Sequence, residues 1–185
     1  MGPLRDRWER LWTPHRMPYL RGESRPRHDG EGDECPFCRV VPGPDADGLI
    51  VARGESAYVL LNLFPYNSGH LLVCPYRHVG LYPDLTDDEV LEIGGLTQTA
   101  MRVLGEVAGV AGFNIGMNQG SIAGAGIAGH LHQHVVPRYA GDGNFMPIIG
   151  RTKVMAQVLS ETRSLLAEAW PATAVPPHRS TTSDR

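Results

Sequence analysis

The amino-acid sequence predicts an α+β fold, with an antiparallel sheet of about five strands and two main helices. Three observations support this class. Short runs with the character of β-strands lie between turn-forming residues, two longer segments show helical spacing, and the two kinds of segment do not alternate regularly. Regular alternation would instead predict a parallel sheet with crossover helices. With 185 residues, the chain is long enough to form one hydrophobic core.

The predicted strands are short and are bounded mostly by Gly, Pro or Asn, which interrupt extended structure. They are Leu49–Ala52, Tyr58–Leu63, His70–Cys74, Asn114–Asn118 and His130–Val136.

Two segments are predicted to be helical. The first begins after Thr86, because a Thr hydroxyl can accept a hydrogen bond from a first-turn amide while Glu89 accepts one from the amide of the cap. Apolar residues continue this helix to about Ala108. The second predicted helix is Thr152–Trp170, with apolar residues along one side.

The chain is predicted to divide into three parts. Residues 1–34 form an arm, which contains two Trp residues that would pack on another surface, and a polar linker; a disordered leader is the alternative. Residues 35–170 form the folded domain. Residues 171–185 contain no Leu, Ile or Phe, so burial cannot offset their ordering entropy, and we expect this tail to be disordered.

Composition excludes some classes of protein. The net charge of −3 and the pI of about 6.2 argue against a nucleic-acid binder, while a small anionic ligand remains compatible. No apolar run approaches the ~20 residues that span a bilayer. The first residues are charged, with no apolar signal core behind them. We therefore expect a cytoplasmic protein without membrane contacts.

Three histidines alternate with other residues in His130-Leu131-His132-Gln133-His134. On a strand, alternate side chains share one face, so the three imidazoles would lie together while Leu131 and Gln133 point to the core side. Imidazole offers a nucleophilic lone pair or a proton near neutral pH. A zinc site built on these histidines is the alternative, since His-x-His pairs also bind catalytic zinc.

Cys35 and Cys38 are two of the three cysteines of the chain. Their Cys-x-x-Cys spacing allows both sulfur atoms to bind one zinc ion, and free thiols are the alternative. Cys74, in an apolar run, is interpreted as a small core residue.

The histidine pattern, followed by Val135 and Val136, resembles the signature of the histidine-triad (HIT) family of nucleotide hydrolases and transferases. The resemblance includes Asn62–His70 and Asn114–Gly120, and covers roughly residues 49–170. A narrower likeness, to the diadenosine tetraphosphate phosphorylases of actinobacteria, extends to the Leu11–Met17 segment.

This resemblance implies a mechanism. His132 would attack the α-phosphorus of a nucleotide and form a covalent nucleotidyl-histidine, with its other ring nitrogen donating to a backbone carbonyl. His134 would lie at the bridging oxygen and stabilise the departing phosphate. No Mg²⁺ is expected to be required.

The resemblance also implies further site residues. Asn118 and Ser121 correspond to phosphate contacts, Asn62 to a ribose contact, and Gly120 to a glycine-rich segment whose amides approach phosphate. We expect adenine to contact Phe64 or Leu61. A structural zinc would be held by Cys35, Cys38, His78 and His130, as in zinc-containing members of the family.

The narrower likeness implies phosphorolysis of diadenosine tetraphosphate to ATP and ADP, with inorganic phosphate as the second substrate. The family resemblance implies a homodimer or larger homo-oligomer. Gly126 stands where the hydrolase branches usually have Gln, which leaves room for a second anion. One alternative is a HIT-type hydrolase of dinucleoside polyphosphates or nucleoside phosphoramidates. Another is a non-enzymatic, zinc-stabilised nucleotide-binding module.

Overall fold

The structure, a computed structural model, describes residues 35–110, 112–140, 142 and 158–172. The elements of these residues are α1 (Pro36–Val40), β1 (Ile50–Arg53), β2 (Ala57–Leu61), β3 (Leu71–Pro75), a 3-10 turn (Tyr82–Asp84), α2 (Asp87–Ala108), β4 (Gly112–Met117), β5 (Gln133–Arg138) and α3 (Leu159–Glu168). The predicted N-terminal arm and linker lie outside the described residues, as does the predicted tail beyond residue 172.

The five strands form one sheet in the order β1-β2-β3-β5-β4, and every neighbouring pair is antiparallel. The predicted fold class is therefore confirmed. All five predicted strands exist, with ends shifted by one to three residues.

The two faces of the sheet pack against different parts of the chain. Val59 of β2 and Val73 of β3 belong to a core that includes apolar residues of α2 and α3. Their strand neighbours Tyr58 and Cys74 point to the opposite face, where they pack against α1 and the segment around it. Every residue of β2 and β3 is buried, because helical elements cover both faces. The buried position of Cys74 agrees with its predicted role as a core residue.

The start of β5 corrects the predicted histidine strand. Pairing begins at Gln133, which is opposite Val73 of β3, so only His134 of the three histidines belongs to the strand. The ladder cannot continue along β3 because Pro75 has no amide hydrogen. In addition, the amide of Leu131 donates to the Val79 carbonyl instead of to a strand.

α2 begins with the predicted cap. Thr86 accepts a hydrogen bond from the Glu89 amide, and the Glu89 carboxylate accepts one from the Thr86 amide at 2.8 Å, which together form a capping box. The helix ends at Gly109, whose φ of 60° is in the left-handed region that favours glycine.

The last helix is shorter than predicted. α3 begins at Leu159 and is preceded by Val158, whose extended backbone ends the helix on that side. Residues 152–157, the first part of the predicted helix, lie outside the described residues. No helix of the described residues is both long and apolar enough to cross a membrane.

A buried carboxylate joins α2 to the β1–β2 turn. Glu92 of α2 accepts hydrogen bonds from the amides of Glu55, Ser56 and Ala57 and from the Ser56 hydroxyl. Burial acts to raise the pKa of Glu92, but these hydrogen bonds outweigh it and hold the pKa below its usual value. A side chain at Gly54 would collide with this carboxylate, which explains the glycine in the turn.

We expect the substitution Glu92→Gln to destabilise the fold by about 1–3 kcal/mol, because the new amide group would face donors and leave some of them unpaired. Thermal or urea unfolding at pH 7 measures this, with the exposed Glu106→Gln on the same helix as the matched control. The difference should shrink below about pH 4, since the stabilisation by a carboxyl of lowered pKa is lost as pH falls through that pKa. Equal stability of the two variants at pH 7 would contradict this role.

Candidate active site

Two hydrogen bonds determine which nitrogen of His134 carries a proton. The backbone N–H of Tyr66 donates to Nδ1 of His70 at 3.0 Å, so that nitrogen holds a lone pair. The proton of a neutral His70 is therefore on Nε2, which lies 2.9 Å from Nδ1 of His134 and donates to it. In a neutral His134 the remaining proton is then on Nε2. His134 thus presents an N–H donor.

His132 carries its proton on the other ring nitrogen. Its Nδ1 lies 2.8 Å from the carbonyl oxygen of His130, and since a carbonyl only accepts, Nδ1 carries the proton. The predicted backbone hydrogen bond is present, and it leaves a lone pair on Nε2 of the neutral ring. The rings of His132 and His134 lie 5.1 Å apart and nearly perpendicular. A nucleophilic nitrogen and a hydrogen-bond donor are therefore neighbours, an arrangement suited to displacing an anionic leaving group.

Burial keeps both rings neutral. It lowers the pKa of His134 from its usual value to about 4, and the nearby His132 ring adds a smaller effect in the same direction. Burial also lowers the pKa of His132, against the opposing effect of its hydrogen bond to the His130 carbonyl. At pH 7, burial therefore favours the neutral form of both rings, which keeps the lone pair on His132 and the N–H donor on His134.

The predicted metal ligands come together beside His132. One donor atom from each of Cys35, Cys38, His78 and His130 lies within 4.8 Å of the others. Nδ1 of His130 is 3.4 Å from the sulfur atoms of both cysteines. Nδ1 of His78 is 3.4 Å from the sulfur atom of Cys38. In a tetrahedral zinc site, a sulfur and a nitrogen ligand are about 3.5 Å apart. These four residues therefore fit Zn²⁺ in donor chemistry and in spacing.

The second ring nitrogen of His130 supports this fit. Nε2 lies 2.9 Å from the Pro75 carbonyl and donates to it, so the nitrogen that faces the sulfur atoms holds the lone pair. Burial lowers the pKa of His130 to about 4, which disfavours the protonated ring that could not bind a metal.

An open cleft of about 460 Å³ adjoins His134, a size typical of small-molecule sites. Its lining includes polar groups from two strands and two loops: Tyr66, Asn67, Asn114, Asn118, His134 and Arg138. The predicted site residues Asn118 and His134 therefore share one cavity. His132 is 6% exposed, and its ring lies 5.1 Å from that of His134, but it is not among the described lining residues.

Asn62 lies next to the histidine pair. Its Oδ1 accepts a hydrogen bond from the Phe64 amide at 2.9 Å, and its Nδ2 lies 3.4 Å from Nδ1 of His70. The predicted ribose contact is thus close to the His70–His134 pair, and its role remains a prediction.

Gly120 and Ser121 occupy a turn after β4, outside the cleft lining that the structure describes. The φ of 76° at Gly120 is a conformation that other residues rarely adopt, which explains this glycine. The contacts of these two residues with phosphate remain predictions. Of the two expected adenine contacts, Leu61 is wrong because it is a core residue with 1% exposure, whereas Phe64 is 76% exposed.

His70 and Phe37 have no role predicted from the sequence. Strand pairing is the signal for His70: Leu72 of β3 is opposite His134, and His70 is two residues before Leu72 on the same side. The signal for Phe37 is its position between Cys35 and Cys38, because a residue inside a metal-binding turn lies close to the other ligands.

Comparison with known proteins identifies the family. A model of the HIT domain matches residues 44–141, more than half of the chain, and this segment includes all three histidines of the pattern. The chain belongs to the histidine-triad family. Its predicted family membership is confirmed.

Relatives within the HIT family include enzymes and a metalloprotein. The chain is 49% identical over 169 residues to an AP-4-A phosphorylase from Mycobacterium tuberculosis, covering 90% of this chain and 86% of that one. An adenosine 5′-monophosphoramidase from Schizosaccharomyces pombe is 28% identical over 104 residues, 56% of this chain and 74% of that one. The structure of a zinc-bound histidine triad family protein from Mycobacterium smegmatis matches with a TM-score of 0.60 and 27% identity, covering 74% of this chain and 92% of that one.

His134 of this HIT protein is expected to stay neutral well below the pH at which an exposed histidine titrates. Burial places its pKa at about 4, so its ring resonances should not shift between about pH 8 and pH 5.5. NMR of the Cε1–H group measures this, with the assignment made from a His134→Gln variant. A titration midpoint near the ordinary value of about 6.5 would contradict the neutral ring.

Proposed function

We propose that this HIT protein transfers a nucleotidyl group through a covalent nucleotidyl-His132 and phosphorolyses diadenosine tetraphosphate to ATP and ADP. The observation that carries the proposal is the pair of opposite ring polarities, with a lone pair on Nε2 of His132 beside an N–H on Nε2 of His134. The choice of substrate is supported by the 49% identity to an AP-4-A phosphorylase.

In the first half-reaction, Nε2 of His132 forms a P–N bond to the α-phosphorus. The bond from that phosphorus to the bridging oxygen breaks, and ATP leaves with the bonding electron pair. His134 donates a hydrogen bond to the departing oxygen from its neutral ring. A polyphosphate is a weak base at pH 7, so this oxygen needs a hydrogen bond and no full proton transfer.

In the second half-reaction, inorganic phosphate attacks the phosphorus of nucleotidyl-His132. A new P–O bond replaces the P–N bond, ADP is released, and the lone pair returns to Nε2 of His132. The neutral state of His132, favoured by burial, lets the cycle begin again without loss of a proton from the ring.

Hydrolysis is the second candidate, because the chain is also similar to an adenosine 5′-monophosphoramidase. Water would then replace phosphate as the acceptor. An amine leaving group, however, needs a proton, and a His134 ring whose pKa is about 4 is mostly unprotonated at pH 7. A phosphate leaving group needs only the hydrogen bond that the neutral ring donates, and product analysis distinguishes water from phosphate as the acceptor.

The choice of acceptor is tested by product analysis. With diadenosine tetraphosphate, we expect ADP and ATP at a rate that rises with phosphate concentration, and little AMP. His132→Ala should lower the rate at least about 10³-fold, because it removes the nucleophile while the fold is kept. A nucleotidyl adduct trapped without phosphate should map to His132 by mass spectrometry. Release of AMP at an undiminished rate in phosphate-free buffer would contradict phosphorolysis.

We also infer that Cys35, Cys38, His78 and His130 bind one structural Zn²⁺ per chain, as supported by their spacing and by the zinc-bound relative. Four protein ligands would close the coordination sphere, so the ion supplies folding stability and no open position for substrate. The proposed reaction has no step that needs Mg²⁺.

Metal analysis tests the zinc site. Protein purified without added metal should contain about one equivalent of zinc, and Cys38→Ser should lower both the zinc content and the melting temperature. Cys74→Ala, which alters a buried cysteine of the core outside the cluster, is the matched control and should keep its zinc. Zinc below a few tenths of an equivalent in the unaltered protein would contradict the site.

A homodimer or larger assembly remains a prediction, supported by one feature of the sheet. β4 lies at its edge, and Ile115 on this strand is 47% exposed. Light scattering measures the assembly in solution. The cytoplasmic location likewise stays a prediction.

A further inference from the structure

Phe37 connects the metal-binding cluster with the proposed nucleophile. It lies between Cys35 and Cys38 in the sequence and is 7% exposed. Its ring lies 5.0 Å from the ring of His132 and 5.4 Å from that of His130. One aromatic side chain from the Cys-x-x-Cys turn therefore packs against both a cluster residue and the proposed nucleophile.

The backbone of Phe37 is fixed independently of its side chain. The hydroxyl of Tyr58 donates a hydrogen bond of 2.8 Å to the Phe37 carbonyl, and Tyr58 is fully buried in β2. The Arg39 amide also donates to the Cys35 carbonyl at 3.0 Å, which closes the turn. The backbone that carries the Phe37 ring is thus hydrogen-bonded to a fully buried residue of the sheet.

His132 is held from two sides by the same cluster. On one side, its Nδ1 donates to the carbonyl of His130. On the other side, its ring packs against Phe37, which lies between the two cysteines in the sequence. The hydrogen bond fixes the tautomer, but a single hydrogen bond leaves rotation of the ring only partly restricted, because the histidine χ2 torsion has a broad minimum.

We propose that Phe37 is a positioning residue that transmits the order of the Cys35, Cys38, His78 and His130 cluster to the ring of His132. The inference rests on the proposed function, since it concerns the same nucleophile. Attack on phosphorus requires the lone pair of Nε2 to be aligned with the bond that breaks, and a misplacement of about 1 Å can cost roughly 100-fold in rate. An ordered Phe37 ring restricts His132 to the aligned orientation.

The test compares Phe37→Ala with Phe37→Leu, which keeps most of the apolar volume, and with Phe113→Ala as the matched control. Phe113 is a partly buried residue of β4 that packs in the helix-side core, on the sheet face opposite His134. Single-turnover formation of nucleotidyl-His132 from diadenosine tetraphosphate should slow about 10- to 100-fold in Phe37→Ala and less in Phe37→Leu. In both Phe37 variants, KM and zinc content should change less than about twofold. Phe113→Ala should form the adduct at the rate of the unaltered protein.

A spectroscopic readout separates positioning from general damage. In Phe37→Ala, the ring resonances of His132 should broaden or split, because more than one ring orientation is populated, while those of His134 stay sharp. Unchanged His132 resonances together with an unchanged rate of adduct formation would overturn the proposal.

The link to the cluster is tested by combining Phe37→Ala with metal removal by a chelator. If Phe37 transmits the effect of the cluster, the two losses in rate should be less than multiplicative, since either change alone frees His132. Fully multiplicative losses would overturn the link. It would also be overturned if the rate of the unaltered protein did not fall on removal of Zn²⁺ and recover when Zn²⁺ is added back. Failure of the unaltered protein to form any adduct at His132 would instead refute the proposed function, and is thereby distinguished from failure of the positioning role.

Discussion

The hydrogen bond from Nδ1 of His132 to the carbonyl oxygen of His130 is the interaction on which the chemistry of this site depends. It determines which nitrogen of His132 holds a lone pair, and it does so with a backbone group whose position is itself fixed. The His130 ring is held at Nε2 by the Pro75 carbonyl, and its Nδ1 faces two sulfur atoms. His130 thus orients its neighbour with its backbone and anchors itself with its side chain.

The polar side chains that line the cleft are mostly uncharged. Among the cleft residues that the structure describes, Arg138 is the only permanent cation, and Asp142 binds it through two hydrogen bonds of 2.8 Å. This ion pair leaves little net positive charge. The amide groups of Asn114 and Asn118 are among the uncharged polar groups of the lining.

Much of the fold followed from local patterns in the sequence. Thr86 and Glu89 predicted the start of α2, because a capping box depends on residues three positions apart. The starts of α3 and β5 were less predictable, and the start of β5 depends on contacts between distant residues. The strand periodicity of residues 130–134 could not reveal that the Leu131 amide bonds to Val79, because that contact exists only in the folded chain.

The candidate site was also predicted only in part from the sequence. Family resemblance predicted the residues of the metal cluster and the triad, and the four cluster residues lie together in the structure. The contacts of His70 with His134 and of Phe37 with His132 join residues that are distant in the sequence, which residue spacing does not encode. Leu61 was assigned to the base because its type suits adenine, but strand alternation places it in the core.

Pro75 has a consequence that reaches beyond the end of a strand. In a regular ladder, His130 and His132 would alternate in the same way as His134. All three rings would then lie on one face of the sheet. Because Pro75 ends the ladder, the two rings make different contacts at Nδ1: His130 faces two cysteine sulfur atoms, and His132 donates to the His130 carbonyl. The end of the ladder at Pro75 thus lets the segment from His130 to His132 supply both a predicted metal ligand and the proposed nucleophile.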